Sequence, residues 1–361
     1  MSKILYAASV AAHLYNFHIP YIEALRAEGH EVVTLANGDG VDINVPFEKR
    51  IISKTNRKCK QLLTRIIEEG SYDAIIVHTS LAAFHIRRAL PKDKRPRLVN
   101  VVHGYLFPEF AKGLRANIRR LILLFAERTV RKKTDALVLM NAEDLRIAVT
   151  NNLISGTPYL INGMGVPAPK LNSTPEQTRA SLGLEGKYLL TFAGELSERK
   201  NQSFLIEAMP DILRSVPNAH LCLAGDGAMR EHLLQLIVEL NLGDSVTLLG
   251  QRSDVPDLLA ASDIYVSASR SEGLPFNIVE ALSVGQTVIA SGVKGHEDVL
   301  ADGGGILYED GNRAEFVKAV LSVYSKETVI DKNKIRDAFL RFSFDEVFPK
   351  TYAVIKEAAG I

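Results

Sequence analysis

Tryptophan is absent from the 361 residues, and there are only two cysteines, Cys59 and Cys222. Two thiols so far apart can neither staple a small secreted fold nor form a clustered zinc site; a reducing cytoplasm suits them. Long apolar runs are also lacking. The longest, Leu121 to Ala126, has six residues, whereas a bilayer span needs roughly 20. No membrane-crossing segment is expected. There is no low-complexity tract or short-period repeat, and 47% apolar with 24% charged residues excludes a disordered tail or a collagenous fibre. The opening Met1-Ser-Lys-Ile-Leu-Tyr-Ala-Ala-Ser resembles a signal peptide, but its apolar stretch breaks at His13 and reads better as a buried first strand. At roughly 150 residues per domain, the length predicts two domains.

A formal net charge of +1 hides an asymmetry: residues 1–163 carry 24 Lys and Arg against 15 Asp and Glu, and residues 164–361 carry 19 against 27. Much of the basic excess lies in Lys49 to Arg65 and in Lys112, Arg115, Arg119, Arg120, Arg128, Arg131, Lys132 and Lys133. Any one such run is ordinarily a solvated helix face, but a whole domain at +9 predicts an anionic partner. Without tryptophan, and without aromatics interleaved among the basic residues, an anionic membrane surface is favoured over nucleic acid. The spacing of Lys112, Arg115, Arg119 and Arg120 predicts one basic helix face beside the apolar Leu121–Phe125 segment.

Short β-branched runs alternate with helical patterns along the chain. Lys3–Ala8, Glu31–Leu35, Ala74–His78, Leu98–His103, Ala136–Met140 and Tyr159–Ile161 read as strands in the first half. In the second half Leu189–Ala193, His220–Ala224, Val246–Leu249, Ile264–Ser267, Thr287–Ala290 and Gly305–Leu307 do the same. Runs without polar alternation suit strands covered on both faces. The expected class is α/β, with two facing Rossmann-like doubly wound parallel-sheet domains over 1–163 and 164–343. The boundary signal is Asn162-Gly-Met-Gly-Val-Pro-Ala-Pro. In such sheets ligands sit beyond the carboxyl ends of strands, so an inter-domain cleft is expected to hold the chemistry.

The most informative stretch is Ser267-Ala-Ser-Arg-Ser-Glu-Gly-Leu-Pro-Phe-Asn-Ile-Val-Glu-Ala-Leu. A strand ends, a glycine-containing loop follows, and Pro275 stands where a helix would take its first residue. Free N–H groups around Leu274, Phe276 and Asn277 would then lie at a positive helix end suited to phosphate. Glu272 precedes this helix and Glu280 lies within it. Carboxylates there would repel phosphate, so they read as hydrogen-bond acceptors for the diols of a ribose and a sugar ring.

Together with Gly194-Glu-Leu-Ser-Glu-Arg-Lys-Asn, Leu223-Ala-Gly-Asp-Gly, Leu249-Gly-Gln-Arg-Ser-Asp-Val and Ser262-Asp-Ile-Tyr-Val, this stretch resembles the donor half of the family 4 retaining glycosyltransferases of GT-B fold. The resemblance runs in order over about 187–325. Val101-Val-His-Gly-Tyr, Met140-Asn-Ala-Glu-Asp and Ile161-Asn-Gly-Met-Gly-Val are similar to the capsule and exopolysaccharide branch. The resemblance implies that the last helix, after Phe344, crosses back onto the first domain.

The resemblance also implies roles. Lys200 would neutralise the donor diphosphate, and Arg199 would help, because Glu195 stands where many members carry a second phosphate-binding arginine. Glu280 would bind the ribose and Glu272 would face the donor sugar, with the backbone of Gly273, Leu274, Pro275, Phe276 and Asn277 around phosphate and sugar. Gly194, Gly225 and Gly227 would allow close backbone approach, and Arg252, Asp254 and Val255 would lie beside the base. His103, at a strand end, would contact the donor sugar. The family's glycine pair after the first strand is replaced by Ala12 and His13. His13, His18 and His78 are therefore candidates for the acceptor side.

There is no Asp-x-Asp metal signature after a strand and no nucleophile-and-acid carboxylate pair. The implied activity is retaining, metal-independent transfer from a nucleoside-diphosphate sugar, most simply a UDP-sugar, to a saccharide or polyprenyl-diphosphate-linked acceptor, with no cofactor. The enzyme would be cytoplasmic and peripheral on the membrane. A nucleotide-sugar 2-epimerase on the same plan and a non-catalytic sugar-nucleotide-binding protein are the alternatives. A dinucleotide oxidoreductase is disfavoured because the first strand leads into Ser9-Val-Ala-Ala-His rather than Gly-x-Gly-x-x-Gly.

Overall fold

The structure, a computed structural model, describes residues 1–48, 53–91, 93–105 and 113–361. The chain forms two units, Met1–Gly165 with Asp345–Ile361, and Val166–Phe344. Unit 1 is built on β1 (Lys3–Val10), β2 (Glu31–Asn37), β3 (Ile43–Asn44), β4 (Ala74–His78), β5 (Arg97–Val102), β6 (Ala136–Leu139) and β7 (Thr157–Leu160). These strands pair in the order β3-β2-β1-β4-β5-β6-β7, all parallel.

Successive side chains of β1 show why the pattern lacks polar alternation. Ile4, Tyr6 and Ala8 enter one apolar cluster, Leu5 and Ala7 another, and all five are fully buried. Helices cover both faces, as parallel strands require. The two-residue β3 is too short to show a period and was not expected from the sequence. It is set by Asp42, whose carboxylate accepts the Thr34 N–H and hydroxyl, each at 2.7 Å. β7 begins earlier than its apolar run, where the Thr157 N–H donates to Asp135 O at 3.0 Å, and Pro158, which lacks an N–H, is tolerated because this is an edge strand.

Unit 2 contains β8 (Tyr188–Ala193), β9 (Ala219–Ala224), β10 (Val246–Gly250), β11 (Ile264–Ser267), β12 (Thr287–Ser291) and β13 (Gly305–Tyr308). Their order is β10-β9-β8-β11-β12-β13, again parallel. One continuous core joins Leu190, Phe192, Leu223 and Val266 on strands to Ile278, Val279 and Leu282 on the helix Phe276–Ser283.

The last helix, Phe344–Ala359, puts Ile355, Ala358 and Ala359 into the unit 1 core. Its Thr351 hydroxyl donates to the Gly163 carbonyl at 3.0 Å, and Arg97 Nε donates to the Ala358 carbonyl at 2.6 Å. Residues 345–361 are therefore structurally part of the N-terminal unit. Where the chain enters and leaves unit 2, the Val166 N–H donates to Phe342 and the Phe344 N–H donates to Val166, both at 2.8 Å. Replacing the fully buried Ile355 by Ala should cost about 2–5 kcal/mol. Hydrogen exchange should show faster opening across β1, β4 and β5, with the strands of unit 2 unchanged.

Candidate active site

In both units the informative residues follow the carboxyl ends of strands, where parallel sheets hold ligands. In unit 2 the loops after β8, β9 and β10 are knitted together by their backbones. Gly194 N–H donates to Ala224 O at 2.9 Å, Leu196 N–H to Asp226 O at 3.0 Å, and Gly225 N–H to Gly250 O at 2.7 Å. A Cβ on Gly225, at φ +137°, would lie 1.9 Å from Gly194 O, and one on Gly227 would lie 2.3 Å from Leu196 O. The close approach these glycines allow is thus between loops of the protein itself.

The loop after β11 carries Glu272, whose side chain is only 5% exposed. Arg199 Nη1 lies 2.6 Å from Glu272 Oε2, and Lys200 Nζ, itself buried, lies 2.7 Å from Oε1. The same Arg199 nitrogen donates to Ser271 O at 3.0 Å, and the Arg270 N–H reaches Arg199 O at 2.8 Å. Burial alone would raise the Glu272 carboxyl, but the Lys200 charge and then the Arg199 charge pull it down to about 2. Glu272 and Lys200 are thus buried against each other, with the half-exposed Arg199 guanidinium closing the group from outside.

Glu280 lies on the helix Phe276–Ser283 and is exposed. Protein packed around its carboxyl still raises the pKa, and Lys200 opposes the rise. Pro275 is the residue before this helix rather than its first. Contrary to expectation, the Phe276 N–H is not free: it turns back to Leu274 O at 3.1 Å. The Asn277 amide nitrogen donates to Ala193 O at 3.1 Å and to Tyr265 Oη at 2.7 Å, which ties the helix start to the end of β8. Arg252 and Asp254, before the helix that starts at Val255, satisfy each other with contacts of 2.8 and 2.5 Å. They follow edge strand β10, two strands from β8.

Sequence reasoning missed His296. It is fully buried, and burial lowers its pKa to about 4. Its Nδ1 lies 2.8 Å from the Ser291 carbonyl, which can only accept, so this neutral ring carries its proton on Nδ1. The available signal was its place just after a strand, the feature that singled out His103.

Unit 1 collects its four strand-end histidines in one pocket. His13 lies in the helix Ala11–Phe17, His18 directly follows it, His78 closes β4, and His103 follows β5. His78 Nδ1 and His103 Nε2 are 3.0 Å apart, and His18 Nδ1 is 3.2 Å from Tyr6 Oη. The His18 and His78 rings stand 3.8 Å apart, and His13 meets His103 edge-on at 4.5 Å. Burial pushes all four below the usual imidazole range, His13 to about 4. His18 and His78 have no exposed surface, so of the four rings only the half-buried His13 and His103 could touch a bound molecule.

The family described as glycosyl transferases group 1 matches residues 174–339. EpsD of Bacillus subtilis (strain 168), assigned to the glycosyltransferases, is 30% identical over 94% of this chain and 93% of that protein. A UDP-Gal:alpha-D-GlcNAc-diphosphoundecaprenol alpha-1,3-galactosyltransferase of Escherichia coli is 27% identical over 77% of this chain and 74% of that one. Among solved structures, Anabaena HepE in complex with UDP and glucose has a TM-score of 0.78 at 20% identity, covering 99% of this chain and 100% of that chain. The fold is that of the GT-B glycosyltransferases.

The Glu272 pairing has a pH signature. A carboxyl whose pKa falls from 4.5 to about 2 on folding adds stability above pH 4.5 that is lost as the pH falls toward 2. Denaturation of unit 2 should therefore steepen across that window, and Glu272→Gln should flatten the acid limb. An unchanged limb in the variant would remove Glu272 as its source.

Proposed function

Because the chain belongs to the group 1 glycosyl transferases, we propose that it moves a sugar, with retention, from a UDP-sugar to a saccharide carried on a polyprenyl diphosphate. The observation that carries the donor half of this reading is the group of the buried Lys200 and Glu272 with the half-exposed Arg199. Two cations held beside one carboxylate are a prepared seat for a diphosphate, whose charge can replace part of what Glu272 supplies. Glu272, ionised even while buried, accepts hydrogen bonds from donor-sugar hydroxyls, and Glu280, open to solvent, accepts those of the ribose. His103 and His13 serve the sugar and acceptor sides.

As the glycosidic bond breaks, negative charge grows on the departing diphosphate. Lys200 and Arg199 meet that charge without reorganising, and a leaving-group oxygen takes the proton of the attacking hydroxyl on the same face. The substrates named for the Escherichia coli galactosyltransferase and the UDP and glucose bound by HepE support the choice of donor and acceptor classes.

The acceptor class also accounts for the helix Leu114–Val130. Leu114, Ile118, Leu121, Ile122 and Phe125 are all exposed, Leu114 at 76% and Phe125 at 69%. At 100° per residue these five positions share one stripe. Arg115 and Arg119 line one border of it. Arg120 projects from another side of the helix, so the expected single basic face is not formed, and Lys112 lies outside the described residues. An apolar stripe bordered by arginines, on a unit with 26 Lys and Arg against 18 Asp and Glu, suits shallow insertion into an anionic membrane surface. No helix among the described residues is long and apolar enough to cross a membrane.

Turnover of UDP-sugars with a polyprenyl-diphosphate saccharide, scored for the anomer of the product, tests the activity. Lys200→Ala should lower kcat by about 100- to 1,000-fold while changing the donor KM less. Glu280→Ala should weaken binding of UDP itself; Glu272→Ala should spare UDP binding and damage donor turnover. Equal losses of UDP binding would refute this division of roles. The wild-type chain should sediment with phosphatidylglycerol vesicles at low salt. The combined Leu121→Ser, Phe125→Ser, Arg115→Gln and Arg119→Gln variant should stay in solution yet still hydrolyse soluble donor. A wild-type chain that ignores such vesicles would refute the membrane reading.

A further inference from the structure

The four-histidine pocket of unit 1 has a property that sugar contacts leave unexplained. One ring nitrogen from each of His13, His18, His78 and His103 lies within 4.8 Å of one from each of the others. The Nε2 atoms of His13, His18 and His78 are buried with no hydrogen-bond partner. Each unpaired nitrogen carries a desolvation cost, and three in one pocket is far from the usual pairing of buried polar groups. A neutral imidazole has one N–H and one lone pair; the His78–His103 contact joins one of each, and the buried Nε2 atoms of His13 and His18 are left without a partner.

We propose that this pocket is a binding site for one divalent ion of the zinc class, held by imidazole nitrogens of His13, His18, His78 and His103. Imidazole suits zinc, copper and nickel and is a poor ligand for magnesium or calcium, which take oxygen. Tetrahedral zinc at about 2.0–2.1 Å from each nitrogen sets neighbouring nitrogens about 3.3–3.4 Å apart. The His78 Nδ1–His103 Nε2 pair, at 3.0 Å, is already near that spacing and exchanges its hydrogen bond for coordination, with His78 Nε2 pointing away from the ion. The remaining rings need to swing inward by about an ångström or more, within reach of side-chain rotation. Tyr6, 3.2 Å from His18 Nδ1, can accept that N–H and so aim the Nε2 lone pair at the ion, the usual outer-shell arrangement of metal-bound histidine. His18 and His78 anchor the site from within, and the half-buried His13 and His103 leave an approach for the ion.

This inference concerns binding alone; it leaves the charged group of unit 2 untouched, while an ion held by His13 and His103 would compete with the sugar-side contacts proposed for those two rings. The full chain, free of any purification tag and stripped with a chelator, is dialysed against zinc, with magnesium as the control. The expected result is one zinc per chain, no magnesium uptake, and displacement of the histidine ring resonances on titration. His13→Gln and His103→Gln, at the more open positions, should each weaken zinc binding at least about tenfold. Cys59→Ser and Cys222→Ser, which alter the buried free thiols, should leave it unchanged. If some variant fails to fold, the ring resonances of the wild-type chain still decide. Absence of saturable zinc uptake, unmoved histidine resonances, or undiminished binding in the His13→Gln/His103→Gln double variant would overturn the proposal.

Discussion

The carboxylate of Glu272, buried between Lys200 and Arg199, organises the rest of unit 2. Without its cationic partners, burial at that depth would push the Glu272 carboxyl up rather than down. Together they hold the loop after β8 against the loop after β11, and the Arg270–Arg199 backbone bond closes the same junction. The cations are thereby fixed in place before any ligand arrives, which is the condition for stabilising developing charge.

That junction depends in turn on how tightly the strand-end loops approach. With Gly194 O only 1.9 Å from where a Gly225 Cβ would sit, a larger residue would push apart the loops that carry Lys200. Asn277 and Tyr265 lock the opposite side by bonding the helix start to the end of β8. The site is therefore a rigid frame of backbone contacts, with its charges set on top.

Unit 1 uses the same parallel-sheet geometry for a different chemistry. The ends of β1, β4 and β5 collect neutral imidazoles where unit 2 collects full charges. Its helix Leu114–Val130 exposes an apolar stripe of Leu114, Ile118, Leu121, Ile122 and Phe125. Unit 2 thus gathers fixed charges at its strand ends, and unit 1 gathers imidazoles and carries the basic excess.

The repeated apolar runs were legible as strands because covered parallel strands are apolar on both faces; only β3 escaped, being too short to carry a period. The strand-to-helix loop after β11 was legible because Glu272, Pro275 and Glu280 stand close together in sequence beside a strand end. What the sequence by itself determined was the α/β class, the two units and the residue types at the strand ends. Tertiary structure alone decided which of those residues meet. Glu272 pairs with Lys200 and Arg199 across about seventy residues, Phe276 spends its N–H on a turn, and His13, His18, His78 and His103 become one pocket. The physical reason is that strand order and register, which bring distant loops to one edge, arise from packing whole elements together and leave no local mark on the residues they unite.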